Sequence, residues 1–405
     1  MKIKNVFYFL FSLAFIMVIG QMAVAKAAVT EAPLLADGSP GVMSGRYIVV
    51  FKPGTSKSTV QTLISSVVLP SGGRVYYEYY DALIGFAASM SGAALSEIRR
   101  NPAVKFVERD RIIQITTDQI NPPSWGLDRI DQPDLPLDNI YTYNYDGTGV
   151  TVYIIDTGIY IGHNDFGGRA SYGHDFIDDD PIADDCHGHG THVAGTVGGT
   201  TYGVAKNVSL VAVRVLNCSG AGSYSQVIAG INWVTTNHTG GLAVANMSLG
   251  GSPSVALDSA VISSIKDHII YTVSAGGSNA NACNFSPARV PNALTVGATT
   301  PSDARSSSSN WGSCLDLFAP GLNITSAWIG DPNASNTLSG TSMASPHVAG
   351  AAALYLEQYP SGYTHLGTSI KTIISNTAVN KVSNPGTGSP NRLLQSAFPY
   401  PPPPP

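Results

Sequence analysis

The chain has 405 residues, which is more than one ordinary domain holds, so we expect two or three structural segments. Apolar residues make up 43%, which is ample for a core and excludes a disordered chain. Only 12% of residues are charged, and the net charge of −5 offers no basic surface to nucleic acid or to an anionic membrane. The 42 glycines and 26 prolines indicate many tight turns and exclude a coiled coil.

The N-terminal segment predicts export. Lys2 and Lys4 precede an apolar run over residues 6–20, and Ala23-Val24-Ala25 supplies small residues at the spacing of a cleavage site. A transmembrane anchor is the alternative, but no basic flank follows the run. We therefore predict a signal peptide over residues 1–25 and a secreted, extracellular, soluble chain.

A small α+β unit is predicted next. Residues 26–45 are small and turn-forming and predict a leader without a fold of its own. Within 46–115, strands are expected near 46–54, 76–80, 83–88 and 104–108, and helices near 55–68 and 93–100. The order βαββαβ is that of a ferredoxin-like domain. Residues 116–124 contain two prolines and predict a linker that a protease could cut.

A larger unit is expected over 125–397, followed by a proline-rich tail over 398–405. Apolar runs predict buried strands at 150–155, 209–216, 243–249, 269–275 and 293–296. They alternate with helical patterns near 191–199, 224–237, 254–266 and 343–358. This alternation predicts an α/β fold with a mostly parallel sheet and helices on both faces.

Three segments of this unit carry side chains suited to nucleophilic catalysis. In VYIIDTG a strand ends on Asp156, in CHGHGTHVAG His189 opens a helix, and in LSGTSMASPHVAG Ser342 lies just before a helix whose first turn accepts Pro346. A serine hydroxyl needs an imidazole to take its proton, and the imidazole needs a carboxylate to orient it. We predict that Ser342 is the nucleophile, His189 the general base and then acid, and Asp156 the orienting carboxylate.

Other interpretations of these residues are weaker. A lone aspartate at a strand end is often structural and a lone serine is often a helix cap, but three such motifs together argue against coincidence. His187, His189 and His192 lack the i, i+4 spacing of a zinc helix. The glycines of DGTGVTVYIID precede the strand, whereas those of a dinucleotide site follow it.

Four cysteines fit an exported chain. Cys186, Cys218, Cys283 and Cys314 form an even number without C-x-x-C spacing, which predicts two disulfides and argues against zinc. Three pairings are possible from the residues alone.

The three motifs, in the order Asp, His, Ser, resemble those of secreted subtilisin-like serine proteases (subtilases) of the proteinase K branch, and within it the aqualysin-type enzymes. The resemblance covers nearly everything from Arg46 onward: residues 46–115 are similar to an inhibitory propeptide and 125–397 to a subtilisin-like peptidase domain. It implies a monomeric serine endopeptidase that cuts polypeptides and is made as an inactive precursor. Its own propeptide inhibits it and is cut off near residues 116–120.

The resemblance also implies roles for individual residues. It supports the sequential pairs Cys186–Cys218 and Cys283–Cys314. It implies that the substrate backbone pairs with an edge strand that contains Ser219, Gly220, Ala221, Gly222 and Tyr224. The opposite strand contains Ser248, Leu249, Gly250 and Gly251, and with Ser274, Ala275 and Gly276 it forms the walls of the primary specificity pocket. Because the glycines leave room, we expect a large apolar or aromatic residue before the scissile bond.

Structural calcium (Ca²⁺) is implied at two places. At the first, Asp316 corresponds to the carboxylate of the family's strong site, with the backbone carbonyls of Pro291 and Ala293. The second comprises Asp128, Asp131, Gln132 and Asp138, and Ile140 stands where some relatives have a side-chain oxygen ligand. Solvated surface carboxylates are the alternative at both.

One position departs from the family. In subtilases an asparagine side chain after an Ala-Gly pair joins the backbone N–H of the nucleophile, here Ser342, in binding the oxyanion. Here Ala275-Gly276 is followed by Gly277, which has no donor side chain, and Asn279 is two residues away. We expect a slower protease. The rival hypotheses are a catalytically silent subtilase that binds peptides, and an α/β-hydrolase esterase, which the motif order and the missing G-x-S-x-G disfavour.

Overall fold

The structure is a computed structural model that describes residues 31–35, 42–111, 117–360 and 366–398. The predicted signal peptide and all but the first residue of the predicted tail lie outside these residues. The chain divides into two compact units, of which the first takes residues 1–37 and 45–110 and the second takes 38–44 and 111–405. Each unit has its own hydrophobic core. No helix in the described part of the chain has the length and apolar character needed to cross a membrane.

The first unit is a five-stranded sheet with two helices. Its elements are β1 (Leu34–Leu35), β2 (Val42–Phe51), α1 (Lys57–Leu63), β3 (Arg74–Tyr79), β4 (Gly85–Ser89), α2 (Gly92–Arg100) and β5 (Val104–Arg111). The strand order is β1-β5-β2-β4-β3, and β4 is antiparallel to both β2 and β3. The order β2-α1-β3-β4-α2-β5 confirms the predicted ferredoxin-like arrangement.

Both helices of this unit begin at a serine that caps them. Ser56 accepts a hydrogen bond from the Thr59 N–H, and Ser91 accepts one from the Ala94 N–H. From these caps the apolar side chains recur at helical spacing, so that α2 buries Leu95 and Ile98 against the sheet.

Part of the predicted leader belongs to this sheet, which corrects the expectation that it has no fold of its own. β1 pairs in parallel with β5, and Ala32 is buried in the core of the unit. The backbone N–H of Ala32 donates to the carbonyl of Arg99 at 2.7 Å. An open sheet edge accepts even a two-residue strand, and a segment this short carries no periodic pattern to reveal it.

The second unit is built on a nine-stranded sheet of order β17-β18-β14-β13-β12-β11-β8-β10-β9. Adjacent strands are parallel except for the pair β17–β18. The strands are β8 (Val150–Asp156), β9 (Ala170–Asp175), β10 (Ser209–Arg214), β11 (Leu242–Met247), β12 (Ile270–Ser274), β13 (Leu294–Thr299), β14 (Leu317–Pro320), β17 (Ala378–Val379) and β18 (Arg392–Leu393). Two antiparallel pairs lie outside this sheet, β6 (Thr117–Ile120) with β7 (Ile140–Tyr143) and β15 (Ile324–Ala327) with β16 (Ser335–Leu338).

Helices cover both faces of the sheet, as predicted. They are α3 (Trp125–Asp131), α4 (His189–Gly198), α5 (Tyr224–Asn237), α6 (Val255–Lys266), α7 (Thr341–Gln358) and α8 (Leu366–Ser375). Along β8, Val152 and Ile154 pack in the core that contains α4 and α7, whereas Tyr153 and Ile155 pack in the core that contains α5 and α6. Because both faces are buried, the strands read as continuous apolar runs.

Two segments differ from the sequence prediction. Thr117–Ile120, placed in a linker, is the strand β6, because its backbone pairs with residues 140–143, which are distant in sequence. Helix α7 begins at Thr341, so Ser342 lies inside it and Pro346 is its sixth residue, beyond the first turn. The proline is accepted there because the carbonyl that its missing N–H would have bonded, that of Ser342, has another donor in Ser248.

Candidate active site

Asp156 and His189 are hydrogen-bonded at the carboxyl edge of the sheet. Asp156 is the last residue of β8 and is fully buried. Its Oδ1 accepts the Thr157 N–H at 2.8 Å and lies 2.7 Å from Nδ1 of His189, the first residue of α4. The approach is close because Gly190 follows: a Cβ there would lie 2.1 Å from the carbonyl oxygen of Gly158. The structure thus brings two of the three predicted catalytic side chains into contact.

Two opposing effects set the basicity of His189. Burial alone would lower the pKa of His189, but the charge of Asp156, its hydrogen bond and the charge of Asp185 together raise the pKa above its ordinary value. His192, one turn along α4, differs because burial lowers its pKa to about 4 and its Nε2 pairs with the carbonyl of Ile324. No three His, Cys, Asp or Glu side chains in the described ranges are arranged as a metal site.

The first turn of α4 is held by side chains that the sequence analysis missed. Its N-cap residue, Gly188, has φ 102° and no side chain to cap the helix. Asp185 does so instead, and accepts hydrogen bonds from the backbone N–H groups of His187, Gly188 and Thr191 at 2.8–2.9 Å. Asp185 lies four residues before His189, where a residue that caps the helix could stand. The loop contains several other aspartates, so the sequence alone does not distinguish Asp185 from them.

Ser342 is the second residue of α7, so its backbone N–H has no acceptor within the helix and is free to bind an anion. Its Oγ donates to the carbonyl of Ser248 at 3.0 Å, and the Oγ of Ser248 donates to the carbonyl of Ser342 at 2.8 Å. Among the described residues no hydrogen bond joins Ser342 to His189. The hydroxyl of the predicted nucleophile is therefore hydrogen-bonded to the segment that follows β11.

A buried polar network fixes the helix that carries Ser342. Asn246, on β11, donates to Ser248 at 3.0 Å and accepts hydroxyl hydrogen bonds from Thr272 and Ser345. All its partners lie beside the sheet or on α7, so the network ties the helix to the sheet. A polar residue in the apolar run LAVANM was the only sequence signal of this role.

Two adjoining cavities bring together every predicted substrate-binding residue. The first, of about 440 Å³, contains His189, and the second, of about 620 Å³, contains Ser342; Leu249 and Gly250 line both. The predicted residues of the first are Ser219, Gly220, Ala221, Gly222, Tyr224 and Ser248, and those of the second are Gly251, Ser274, Ala275 and Gly276. The side chains that line the second cavity include none that is charged.

Gly277 lies on the wall of the Ser342 cavity. A Cβ at this position would meet no atom within 4 Å, so the space for a side chain is open. Asn279 does not fill it, because its Oδ1 accepts a hydrogen bond from Arg305 at 3.0 Å and its backbone N–H donates to Ser308. The side chain of Asn310 donates to the carbonyl of Ala275. The side-chain donors that line this cavity are serine and threonine hydroxyls, those of Ser278, Ser308 and Thr341 among them, and none of the lining residues carries a side-chain amide.

The candidate calcium ligands divide into two groups. Asp316 accepts the Thr295 N–H at 2.8 Å, and burial raises the pKa of Asp316 to about 7. The position lies immediately before β14, whose neighbour β13 begins just after Ala293, so the carbonyls of Pro291 and Ala293 belong to the adjacent segment. A half-buried carboxylate with one N–H partner suits a cation completed by carbonyl oxygens.

The second group lies around α3. Asp128 accepts the Asn139 N–H at 2.8 Å, yet its Oδ1 and the Oδ1 of Asp131 are buried without a hydrogen-bond partner among the described residues. Burial, with the charges of Asp128 and Asp138, raises the pKa of Asp131 to about 7. The side chain of Gln132 accepts the Asp138 N–H at 3.3 Å. These orphaned oxygens fit a cation, but Ile140 contributes only backbone.

The cysteines pair sequentially as Cys186–Cys218 and Cys283–Cys314. The first disulfide joins the loop before α4 to the loop after β10, and Arg214 donates to Sγ of Cys186 at 3.3 Å. This disulfide therefore ties together two loops whose residues line the His189 cavity.

Comparison with known proteins agrees with this geometry. Residues 147–394 match the subtilase family, and residues 46–116 match the peptidase inhibitor I9 family. The chain is 48% identical over 390 residues to an extracellular serine proteinase of Thermus sp. (strain Rt41A), covering 92% of this chain and 94% of that protein. It is 51% identical over 368 residues to the alkaline serine exoprotease A of Vibrio alginolyticus, covering 87% of this chain and 68% of that protein. The solved structure of a cold-adapted subtilisin-like serine proteinase shares 57% identity and a TM-score of 0.64, covering 67% of this chain and 97% of that one.

Proposed function

The chain belongs to the subtilase family and is a secreted serine endopeptidase, and we propose that Asp156, His189 and Ser342 are its catalytic residues. The observation that carries this proposal is the 2.7 Å contact between His189 Nδ1 and Asp156 Oδ1, beside the cavity that contains Ser342. A buried carboxylate that fixes the imidazole tautomer leaves the other ring nitrogen to act as a base.

The reaction follows from these positions. A bound peptide displaces the Ser342 hydroxyl from the Ser248 carbonyl, and the hydroxyl then turns to His189. Its Oγ bonds to the carbonyl carbon of the scissile bond while its proton passes to His189 Nε2 and the carbonyl electron pair moves to oxygen. The proton then goes to the leaving nitrogen as the C–N bond breaks. Water repeats the sequence on the acyl-enzyme and restores Ser342.

Oxyanion binding is weaker in this chain than in its relatives. The Ser342 N–H supplies one donor, and Gly277 supplies no side-chain donor where the family has an asparagine. The open space at Gly277 and the engagement of Asn279 by Arg305 support this account. The same features support the second hypothesis, a catalytically silent peptide-binding subtilase.

The cavity beside Ser342 selects the residue before the scissile bond. Its volume of about 620 Å³, its glycine walls and its uncharged lining favour a large apolar or aromatic side chain. Charged side chains would lose hydration there without gaining a partner. The kcat/KM values for peptides that differ only at this residue test the preference, and equal values for phenylalanine and glutamate would contradict it.

Asp316 with the carbonyls of Pro291 and Ala293 would hold one calcium ion. A second ion would have to draw Asp128, Asp131 and Asp138 together with Gln132, because these aspartates are not already arranged as a metal site. Neither group lies among the residues that line the two cavities. The ions therefore stabilise the fold and take no part in the reaction.

The precursor is processed on the N-terminal side of the catalytic unit. The I9 match identifies residues 46–116 as an inhibitory propeptide, which folds as the first unit. Because Thr117–Ile120 is paired with β7, a cut in this strand would have to break the pairing, so we place processing before Thr117. After the cut, the propeptide continues to inhibit the enzyme until it is degraded.

A casein assay with and without a serine-directed inhibitor tests the proposal. Wild-type enzyme should be active and inhibitable, whereas Ser342→Ala should be inactive, unlabelled and uncleaved as a precursor. Ser259→Ala, which removes an exposed serine from α6, is the matched control and should behave as wild type. Inhibitor labelling without peptide hydrolysis would favour the silent peptide-binding protein.

A further inference from the structure

The first turn of α4 is capped entirely by side chains from outside the helix. The N–H of His189 donates to Nδ1 of His187 at 3.3 Å, that of Gly190 to Oγ1 of Thr157 at 2.8 Å, and that of Thr191 to Oδ2 of Asp185 at 2.9 Å. The cap residue itself, Gly188, has no side chain. The orientation of His189 therefore depends on these three residues.

Asp185 is the centre of this arrangement. It is 5% exposed, and its two carboxylate oxygens accept five hydrogen bonds. Besides the three backbone N–H groups already named, the hydroxyls of Thr157 and Thr191 donate to it at 2.9 and 2.6 Å. No Lys, Arg or His in the described part of the chain forms a salt bridge with it. Its charge is balanced by N–H and O–H dipoles at the positive end of a helix.

Thr157 links Asp185 to the carboxylate of the triad. Its N–H donates to Asp156 Oδ1, and its hydroxyl donates to Asp185 Oδ1 while accepting the Gly190 N–H. One buried carboxylate thus fixes both the segment that carries Asp156 and the segment that carries His189. The distance between the two catalytic side chains is set through it.

We propose that Asp185 is a positioning residue for catalysis, which holds His189 in register with Asp156 and, as a second negative charge behind the imidazole, stabilises the imidazolium that forms during the reaction. The proposal rests on the assignment of His189 as the general base. A helix cap without electrostatic effect is the alternative.

The charged groups around His189 distinguish a positioning residue with an electrostatic effect from a helix cap without one. The titratable groups that face it in the described residues are Asp156 from β8, Asp185 and His187 from the loop before α4, and His192 from α4 itself. Only the two aspartates raise the pKa of His189. Removal of the Asp185 charge should therefore move the acid limb of the pH profile, which a purely structural cap would not do.

The test compares Asp185→Asn with Asp165→Asn. Asp165 is a matched control because it is also buried and also accepts hydrogen bonds from backbone N–H groups. Its donors, Thr201 and Tyr202, lie beyond the C-terminal end of α4, whereas His189 is at the N-terminal end. Where a variant does not process itself, a trace of wild-type enzyme cuts the precursor. For Asp185→Asn we expect kcat to fall about tenfold or more with KM little changed, and the midpoint of the acid limb to fall by about 0.3–1 pH unit. Asp165→Asn should lower thermal stability and leave the midpoint in place.

The opposite results are equally clear. An unshifted midpoint in Asp185→Asn, or an equal shift in Asp165→Asn, would overturn the proposal. If Asp185→Asn does not fold, Thr157→Val and Thr157→Ser are measured in its place. The valine variant should have a lower kcat, and the serine variant, which keeps the hydroxyl, should have a kcat near that of the wild type. Equal activity of the two variants would contradict the role of the Thr157 hydroxyl in linking Asp185 to Asp156. Wild-type activity that survives His189→Ala would instead refute the general-base assignment on which the inference rests.

Discussion

Ser248 and Ser342 exchange hydrogen bonds, each hydroxyl donating to the backbone carbonyl of the other, at 2.8 and 3.0 Å. Pro346 has no N–H to offer the Ser342 carbonyl, which in an ordinary helix would accept a hydrogen bond from the residue four positions on, so this carbonyl is open to the hydroxyl of Ser248. The proposed nucleophile is thereby attached to the segment after β11, along which substrate is proposed to bind. Stability and catalysis are coupled at this point.

Ser248→Ala should lower stability by about 1–3 kcal/mol, since it leaves the Ser342 carbonyl and the Asn246 amide without a buried partner. In a Pro346→Ala background the cost should be smaller by about 1 kcal/mol, because the restored N–H can bond the Ser342 carbonyl. Denaturation of the inhibitor-blocked enzyme measures both. Equal costs in the two backgrounds would show that the proline is irrelevant to the exchange.

The pH dependence of kcat/KM should report His189. The base must be neutral to accept the proton of Ser342, so activity should fall as the pH drops through the pKa of His189. Because Asp156 and Asp185 raise this pKa against the effect of burial, we expect the midpoint of the acid limb above 6.5. A midpoint near 4 would point instead to a buried histidine such as His192 or His347, whose pKa burial lowers to about 4.

Gly277→Asn should raise kcat at least tenfold on one peptide substrate. The new amide adds an oxyanion donor, and loss of this donor costs about 10²–10³ in kcat in subtilisin. The space is open, so the side chain requires no rearrangement. Gly277→Asp is the matched control, since it has the same shape without the N–H donor. An unchanged rate in a folded Gly277→Asn variant would show that another group already binds the oxyanion.

Removal of calcium should shorten the thermal half-life without stopping catalysis at once. A bound ion stabilises only the folded state, by about 2.7 kcal/mol at a concentration of one hundred times Kd. Asp316→Asn and Asp131→Asn should each abolish part of the chelator effect. The comparison requires half-lives at one temperature with and without chelator. Immediate loss of activity with the fold intact would indicate a catalytic metal, contrary to this account.

Most of the helices and strands, and the three motifs, could be located from the order of the amino acids. The helix over 224–237 and the strand beginning at Val150 were located within a residue or two, because apolar periodicity and capping are local properties of the chain. Asp156, His189 and Ser342 were singled out because their roles require particular chemical groups at strand and helix ends. The resemblance to subtilases added the pairing of the cysteines, which the residues alone left open.

How these side chains are held in place became visible in the folded chain alone. Asp185 and Asn246 are ordinary polar residues in the sequence, and their importance comes from partners that lie 28 and 99 residues away, Thr157 and Ser345 respectively. β6 and β1 are strands only because distant backbone accepts them. Hydrogen bonds between segments far apart in the chain depend on how the whole chain packs, so no local sequence pattern records them. That is why the sequence could single out the proposed catalytic side chains, whereas it could not single out the residues that we propose to position them.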